Sequence, residues 1–400
     1  MRPEATRQEL TTEVLAAGPQ RPVDARQLVR DRVAVTLTFA LLGWLLGAFT
    51  ARIPALVATL DLSSFRLGTA LFVWGAGAIV TMQVLRFTIT RTGTACVLRT
   101  AVPLYPLSVA LVATAPTYPL LLAEMAVFGA AFGAIEAAAC VQGSALERAM
   151  GRPVMSSLQA GWPIGAAGGG LLAAICAEAG ITAAWSLCGL AALSLPLALG
   201  LAHAASDHRP PGHAPERSRG RVAPVVYLLG LIAFAAYVLE GALTDWSGLL
   251  LHEDLGASQA VAALAYPVFQ IGMLTGRLGA DRVQTRLGVR ATVIGAGLTT
   301  AAVMLATSAL SAPVVVLAGG FAAGIGISPL VPAAVSMAGR NGDAAVAQLG
   351  AIGFLGVLVG PLMIGTIAEV TSLRASLAVT AVLMGSAVVA VGQLLPGRRT

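Results

Sequence analysis

The sequence predicts an all-α polytopic membrane protein: twelve transmembrane helices arranged as two pseudo-symmetric six-helix bundles. Three observations lead there. The chain is 57% hydrophobic and only 11% charged, whereas a soluble protein of this size carries about 25% charged residues. Its apolar text breaks into twelve runs, each long enough for a hydrocarbon core of roughly 30 Å, which takes about 20 residues per helix. The third observation is where the arginines fall. All 25 basic residues are Arg, with no Lys. Only Arg52, Arg66 and Arg374 depart from a pattern in which Arg occupies the tails and every second gap. Arg-rich loops stay on the cytoplasmic side during insertion, so both termini are expected to be cytoplasmic in a multi-pass protein of the cell membrane.

The elements follow in order. Residues 1–32 are polar and mixed in charge, without an apolar core or a small-residue cleavage site, and read as a cytoplasmic tail. The first bundle spans 33–204, with apolar runs at 33–57, 65–85, 95–115, 118–142, 155–177 and 183–204. Arg86, Arg91 and Arg99 flank the gap between runs 2 and 3, and Arg148 and Arg152 fill the gap between 4 and 5. Residues 205–222, ASDHRPPGHAPERSRGRV, are too rich in Pro, Gly and charge to pack a core and read as a cytoplasmic linker. His208 and His213 in it lack the further ligands that a metal site needs. The second bundle spans 223–395, with runs at 223–249, 259–278, 291–310, 314–335, 344–367 and 374–395, before a short tail at 396–400. Cys96, Cys140, Cys176 and Cys188 lie scattered in or beside apolar runs without C-x-x-C spacing, and read as small packing residues.

The two bundles repeat. Thr90-Arg91-x-Gly93 follows run 2, and Thr285-Arg286-x-Gly288 follows run 8. Gly129 and Gly133 in run 4 match Gly320 and Gly324 in run 10, and Gly161, Gly165 and Gly169 in run 5 echo Gly356 and Gly360 in run 11. Glycines at i, i+4 line one helix face and let a neighbour approach closely. Two parallel repeats of six helices are an architecture in which halves rock about a site near the midplane.

These residues resemble the major facilitator superfamily across the whole chain. Gly276-Arg277-Leu278-Gly279-Ala280-Asp281-Arg282, followed by Arg286-x-Gly288-x-Arg290, is similar to that family's signature loop in its C-terminal copy. The N-terminal copy keeps Arg91 and Gly93 but has no acid. Within the family the chain resembles the fucose-permease-like branch, through Gly133-Ala134-Ile135-Glu136-Ala137, Ala51-Arg52-Ile53-Pro54, Glu240 to Ser247, and Gly324-Ile325-Gly326-Ile327-Ser328-Pro329. It departs where Cys140 stands in place of that branch's Asn and Gln159 in place of a frequent His. The resemblance implies an inner latch, in which Asp281 bonds to Arg and to the start of run 11. Gly276, Arg282, Arg286 and Gly288 are its other members.

Buried charge picks out the remaining candidates. An ionised group at mid-bilayer costs about 2.5–3.5 kcal/mol on insertion scales, so it is functional by default. Glu136 lies about 27 Å along its run at about 1.5 Å per residue, and is the expected proton carrier or substrate contact. Tyr237, Glu240 and Thr244 share a stripe that can line a cavity. Asp245 is five residues from Glu240, about 140° around the helix, and is expected to face away from it. Arg52 ends run 1, which the resemblance places against run 7, so Arg52 with Asp245 or Glu240 is an expected outer gate. Gln159, Gln270 and Trp44 complete the candidate substrate contacts.

The expected function is secondary active transport of a small molecule by alternating access, with protons as the coupling ion. Sugar-like uptake and efflux of an amphipathic compound are the two rival directions. A sensor or scaffold of the same shape is the third reading. No cofactor, metal, nucleic acid or enzymatic constellation is expected; the partners are the bilayer, protons and the cargo, and the protein is expected to act as a monomer.

Overall fold

A computed structural model describes residues 25–151, 154–206, 223–339 and 343–395. His208, His213, Arg152, Arg340 and Asn341 lie outside the described residues. Among the described residues, twelve helices are long and apolar enough to cross a membrane. In the first half they are α1 (Arg26–Ala51), α2 (Ser64–Leu85), α3 (Arg91–Thr114), α4 (Tyr118–Met150), α5 (Ser157–Glu178) and α6 (Ala183–Ala204). In the second they are α7 (Pro224–Asp254), α8 (Gln259–Ala280), α9 (Val289–Ala309), α10 (Pro313–Ala338), α11 (Gln348–Val370) and α12 (Leu373–Leu394).

Several boundaries differ from the apolar runs: α1 begins at Arg26, within the expected tail, and α7 runs on to Asp254. Two others show a physical reason. α1 stops at Ala51, because Arg52 leaves helical geometry (φ −103°, ψ 3°) and Pro54 starts a separate helix, Ile53–Leu60. α4 continues past residue 142 to Met150, beyond the apolar stretch. Gly151 ends it at φ 63°, and Glu147 Oε1 accepts from the amides of Val154 (2.8 Å) and Met155 (2.9 Å), which anchors the start of the following segment. Hydropathy marks the bilayer; helical hydrogen bonding does not stop where the apolar stretch ends.

Glycine sets the packing inside each half. A Cβ on Gly161, Gly165 or Gly169 of α5 would strike the carbonyl oxygens of Thr36, Ala40 and Trp44 on α1. These residues form two i, i+4 rows one helical turn apart, so the helices run backbone against backbone. α7 and α11 repeat the arrangement, with Gly356 against the Phe234 carbonyl. α4 meets α2 through Gly129 and Gly133 against Trp74 and Ala78, while α10 meets α8 through Gly324 against Phe269 and Gly272 against Phe321. The correspondence is inexact: Gly360 makes ordinary contacts, and a Cβ on Gly320 would meet nothing within 4 Å.

The repeat is sharpest at the motif glycines. Gly93, a break at the start of α3, has φ 78°, ψ 163°; Gly288, between α8 and α9, has φ 82°, ψ 159°. This region of conformational space is essentially restricted to glycine, and a side chain there costs of order 1–3 kcal/mol. Gly93→Ala and Gly288→Ala are each expected to lower thermal stability in detergent by about that amount. Gly189→Ala, where a Cβ would meet nothing within 4 Å, should leave the melting temperature in place; equal shifts in all three would remove the argument.

Candidate functional site

A cavity of about 300 Å³ lies between the two halves and is lined by both. The first half supplies an aromatic wall. Phe128 of α4 stacks on Tyr105 of α3 (5.3 Å between centroids) and meets Phe49 of α1 edge-on (5.4 Å). One turn on, Phe132 packs on Trp74 of α2 (5.1 Å) and edge-on to Trp162 of α5 (5.5 Å). Phe49, Trp74, Phe132 and Trp162 reach the cavity surface. The second half adds Tyr237 of α7, stacked on Phe354 of α11 at 5.7 Å, with both rings lining the cavity.

Polar groups interrupt this wall in both halves. Glu136 of α4 lines the cavity. Its Oε1 accepts only from Cys140 Sγ at 3.8 Å, and its Oε2 is buried with no hydrogen-bond partner. α4 has 33 residues, so Glu136 sits just past its midpoint. Glu240, Thr244 and Asp245 of α7 line the same space, with Gln159 of α5 and Gln270 of α8. Tyr266 of α8 bonds to Gln270, and Thr244 Oγ1 donates to Asp245 Oδ1 at 3.1 Å. Glu136, Glu240, Tyr237, Thr244, Gln159 and Gln270 therefore share one cavity, although four helices of the first half and three of the second contribute to its walls.

Four expectations need correction. Asp245 does not turn away from Glu240's side of the helix; both line the cavity. An angle of about 140° on a straight helix still falls within a cavity that wraps α7, and α7 leaves regular geometry directly after Asp245, at Trp246 (φ −111°, ψ −19°). Arg52 pairs with neither acid. It is 3% exposed, and Nη2 donates to the Ile181 carbonyl in the α5–α6 loop at 2.8 Å, because the break after α1 directs it into its own half. Trp44 does not line the cavity; its ring lies on Gly168 of α5. Arg277, read from sequence only as a loop charge, does line the cavity and acts electrostatically on Glu240 and Tyr237. Its position on the helical register of α8, four residues before Asp281, is the signal that could have found it.

Of the expected latch, Gly276 sits under α10, where a Cβ would strike Ser328 Oγ and the Ile325 carbonyl, and Gly288 makes the turn into α9. Arg282 and Arg286 extend from the helical continuation of α8 to Leu287. The Asp281 side chain lies outside the described residues.

The halves join at the face away from the chain ends. Gly68 of α2 and Gly365 of α11 cross there: a Cβ on Gly68 would be 2.5 Å from the Pro361 carbonyl, and one on Gly365 2.5 Å from that of Ser64. Two turns deeper, at Gly75, the nearest atom of α11 is 3.7 Å away, so the helices diverge toward the other face. Glu369, in the last turn of α11, accepts from the Phe65 amide in the first turn of α2 at 3.1 Å. A carboxylate suits a helix N-terminus and is disfavoured at its own helix's C-terminus, so this bond relieves Glu369 while capping α2. Gly170 against Pro267, and Gly248 against Pro54, add contacts between the halves on the same side.

No protein-family profile matches the chain. It is 30% identical over 363 residues to the uncharacterized transporter y4wD of Sinorhizobium fredii, an alignment covering 87% of this chain and 94% of that protein. It is 27% identical over 366 residues to an uncharacterized MFS-type transporter of Yersinia pestis (89% and 94% covered), and 29% identical over 360 residues to membrane protein MosC of Rhizobium meliloti (87% and 86%). Among solved structures, a bacterial homolog of the human lysosomal transporter Spinster, inward-facing and occupied, superposes with a TM-score of 0.73 at 15% identity, covering 91% of this chain and 95% of that one. The D-xylose-proton symporter gives 0.70 at 14% identity, with 93% and 98% covered. Twelve apolar helices in two matched halves, a cavity between them and these relatives together make the chain a multi-pass membrane protein that belongs to the major facilitator superfamily of transporters.

Proposed function

We propose that this protein carries a small molecule across the cell membrane by alternating access, coupled to protons. The observation that carries the reading is one cavity lined by both halves, with the contacts between the halves gathered on one side of it. With the Arg-rich face cytoplasmic, the closed side is external and this is the state with access from the cytoplasm. Rocking the halves about the cavity between them would part α2 from α11 and open it outward. Glu136, a cavity carboxyl with an unpartnered oxygen, is the proton carrier in this reading. The external gate is the α2–α11 crossing with its Glu369 cap; Arg52 holds the α5–α6 loop beside it.

The test uses no cargo. In a variant without the four native cysteines, a single cysteine at Thr50 on the cavity wall is labelled by impermeant maleimide from either side of proteoliposomes. Labelling from both sides, in proportions that sum to one population, is expected. Glu369→Gln removes a charge–helix interaction of about 0.3–1 kcal/mol and should raise external labelling about two- to fivefold. Access from one side only, unmoved by Glu369→Gln, would overturn the reading.

A further inference from the structure

We propose that the cargo is an organic cation: an ammonium, guanidinium or phosphonium-like centre on an aromatic or apolar body. This deepens the transport reading above and rests on it. Three observations on the cavity converge.

The first is charge. Three carboxyls, Glu136, Glu240 and Asp245, share the wall with one cation, Arg277. Among the described residues neither Glu136 nor Asp245 is held in an ion pair; their side-chain bonds come from Cys140 and Thr244. Glu136 and Asp245 thus stand without a facing cation, one on α4 of the first half and one on α7 of the second. Glu136 keeps a buried oxygen with no partner at all. A cation seated between them would answer both halves at once, which is the contact an occluded carrier needs.

The second is the wall material. Trp74, Phe132 and Trp162 on one side and Tyr237 and Phe354 on the other line the same space. Ring faces attract cations held within about 6 Å of their centres and cover an apolar body without requiring hydrogen bonds.

The third is how much of the wall's neutral hydrogen-bonding capacity is already engaged. Several of its polar groups are already engaged: Gln270 with Tyr266, and Thr244 with Asp245. Hydroxyls left unpaired in a closed cavity are costly, whereas a cation uses the carboxylates and rings that remain free. Carboxylates that hold either cargo or protons also supply a coupling rule: the two compete, and cation moves one way as protons move the other. The groups around them are Cys140, Tyr105 and Tyr237 at Glu136, and Glu240, Thr244 and Tyr266 at Asp245.

The experiment compares isosteres of opposite charge. Tetraphenylphosphonium, tetraphenylborate and D-xylose are titrated against the full chain in nanodiscs, with empty nanodiscs subtracted, reading the fluorescence of the cavity residues Trp74 and Trp162. The phosphonium is expected to bind at least about tenfold more tightly than the borate, a difference of about 1.4 kcal/mol. Glu136→Gln with Asp245→Asn should erase that preference, and acidification should weaken phosphonium binding to the parent chain. The proposal is overturned if the borate binds as tightly, if the double variant keeps the preference, if xylose alone binds, or if no probe binds. The ligand-free labelling at Thr50 reports on alternating access separately, so a protein that alternates but prefers the anion would lose only the cationic cargo.

Discussion

Glu136→Gln is expected to leave a folded protein whose access equilibrium no longer responds to pH. Gln has nearly the same shape as Glu but takes up no proton in this range. Little else in the structure depends on the carboxylate: its one bond is the long contact from Cys140 Sγ. The parent chain, with the Thr50 cysteine reporter, should redistribute between its two access states as pH changes, because a charged carboxylate is tolerated better where water reaches the cavity. An ionised group at this depth costs about 2.5–3.5 kcal/mol, and a difference of that size between states shifts their ratio by about a hundredfold. Cargo-driven proton flux in proteoliposomes should fall by the same order. A variant that still titrates like the parent would move the proton to Glu240 or Asp245, which share the cavity, and the same measurement on those two would show which.

Much of the architecture is legible in the sequence because the bilayer enforces it. Twelve apolar runs and the alternation of arginine follow from insertion alone, and the run at 183–204 coincides with α6 (Ala183–Ala204). The motif glycines are legible for a different reason: Gly93 and Gly288 occupy a conformation closed to other residues, so sequence symmetry there reports backbone symmetry. The cavity is legible only in part. Glu136, Tyr237 and Glu240 stand out as polar groups in apolar helices, and each reaches it. Asp245 and Arg277 are visible as charges but not as cavity residues, because helical angle alone does not tell how wide an arc of α7 or α8 the opposing half leaves uncovered. The bond that joins the halves at Glu369 has no side-chain pattern to announce it, since its partner is the backbone amide of Phe65.

Gly365→Val is expected to abolish transport while preserving the fold, by wedging the external gate open. The contrast with Gly165 makes the argument. Both glycines face a backbone carbonyl at a distance that no Cβ can share: Gly165 that of Ala40, Gly365 that of Ser64. Gly165 lies between α5 and α1 of the same half, a contact that rigid-body rocking leaves unchanged. A side chain there strains every state, and overpacking of this kind costs typically about 1–3 kcal/mol, occasionally more, so Gly165→Val should lower yield and thermal stability. Gly365 lies between α11 and α2 of different halves, and on the alternating-access proposal only the externally closed state brings them together. Its strain disappears when the halves part, so the same 1–3 kcal/mol becomes a population shift of about 5- to 150-fold toward the outward-open state. The Thr50 cysteine should then label almost wholly from outside, with a melting temperature close to that of the parent. Gly68→Val, whose Cβ would approach Pro361 across the same crossing, should act alike. Were Gly365→Val to unfold the protein as Gly165→Val does, the α2–α11 contact would be part of the permanent core, and the external gate would have to lie elsewhere.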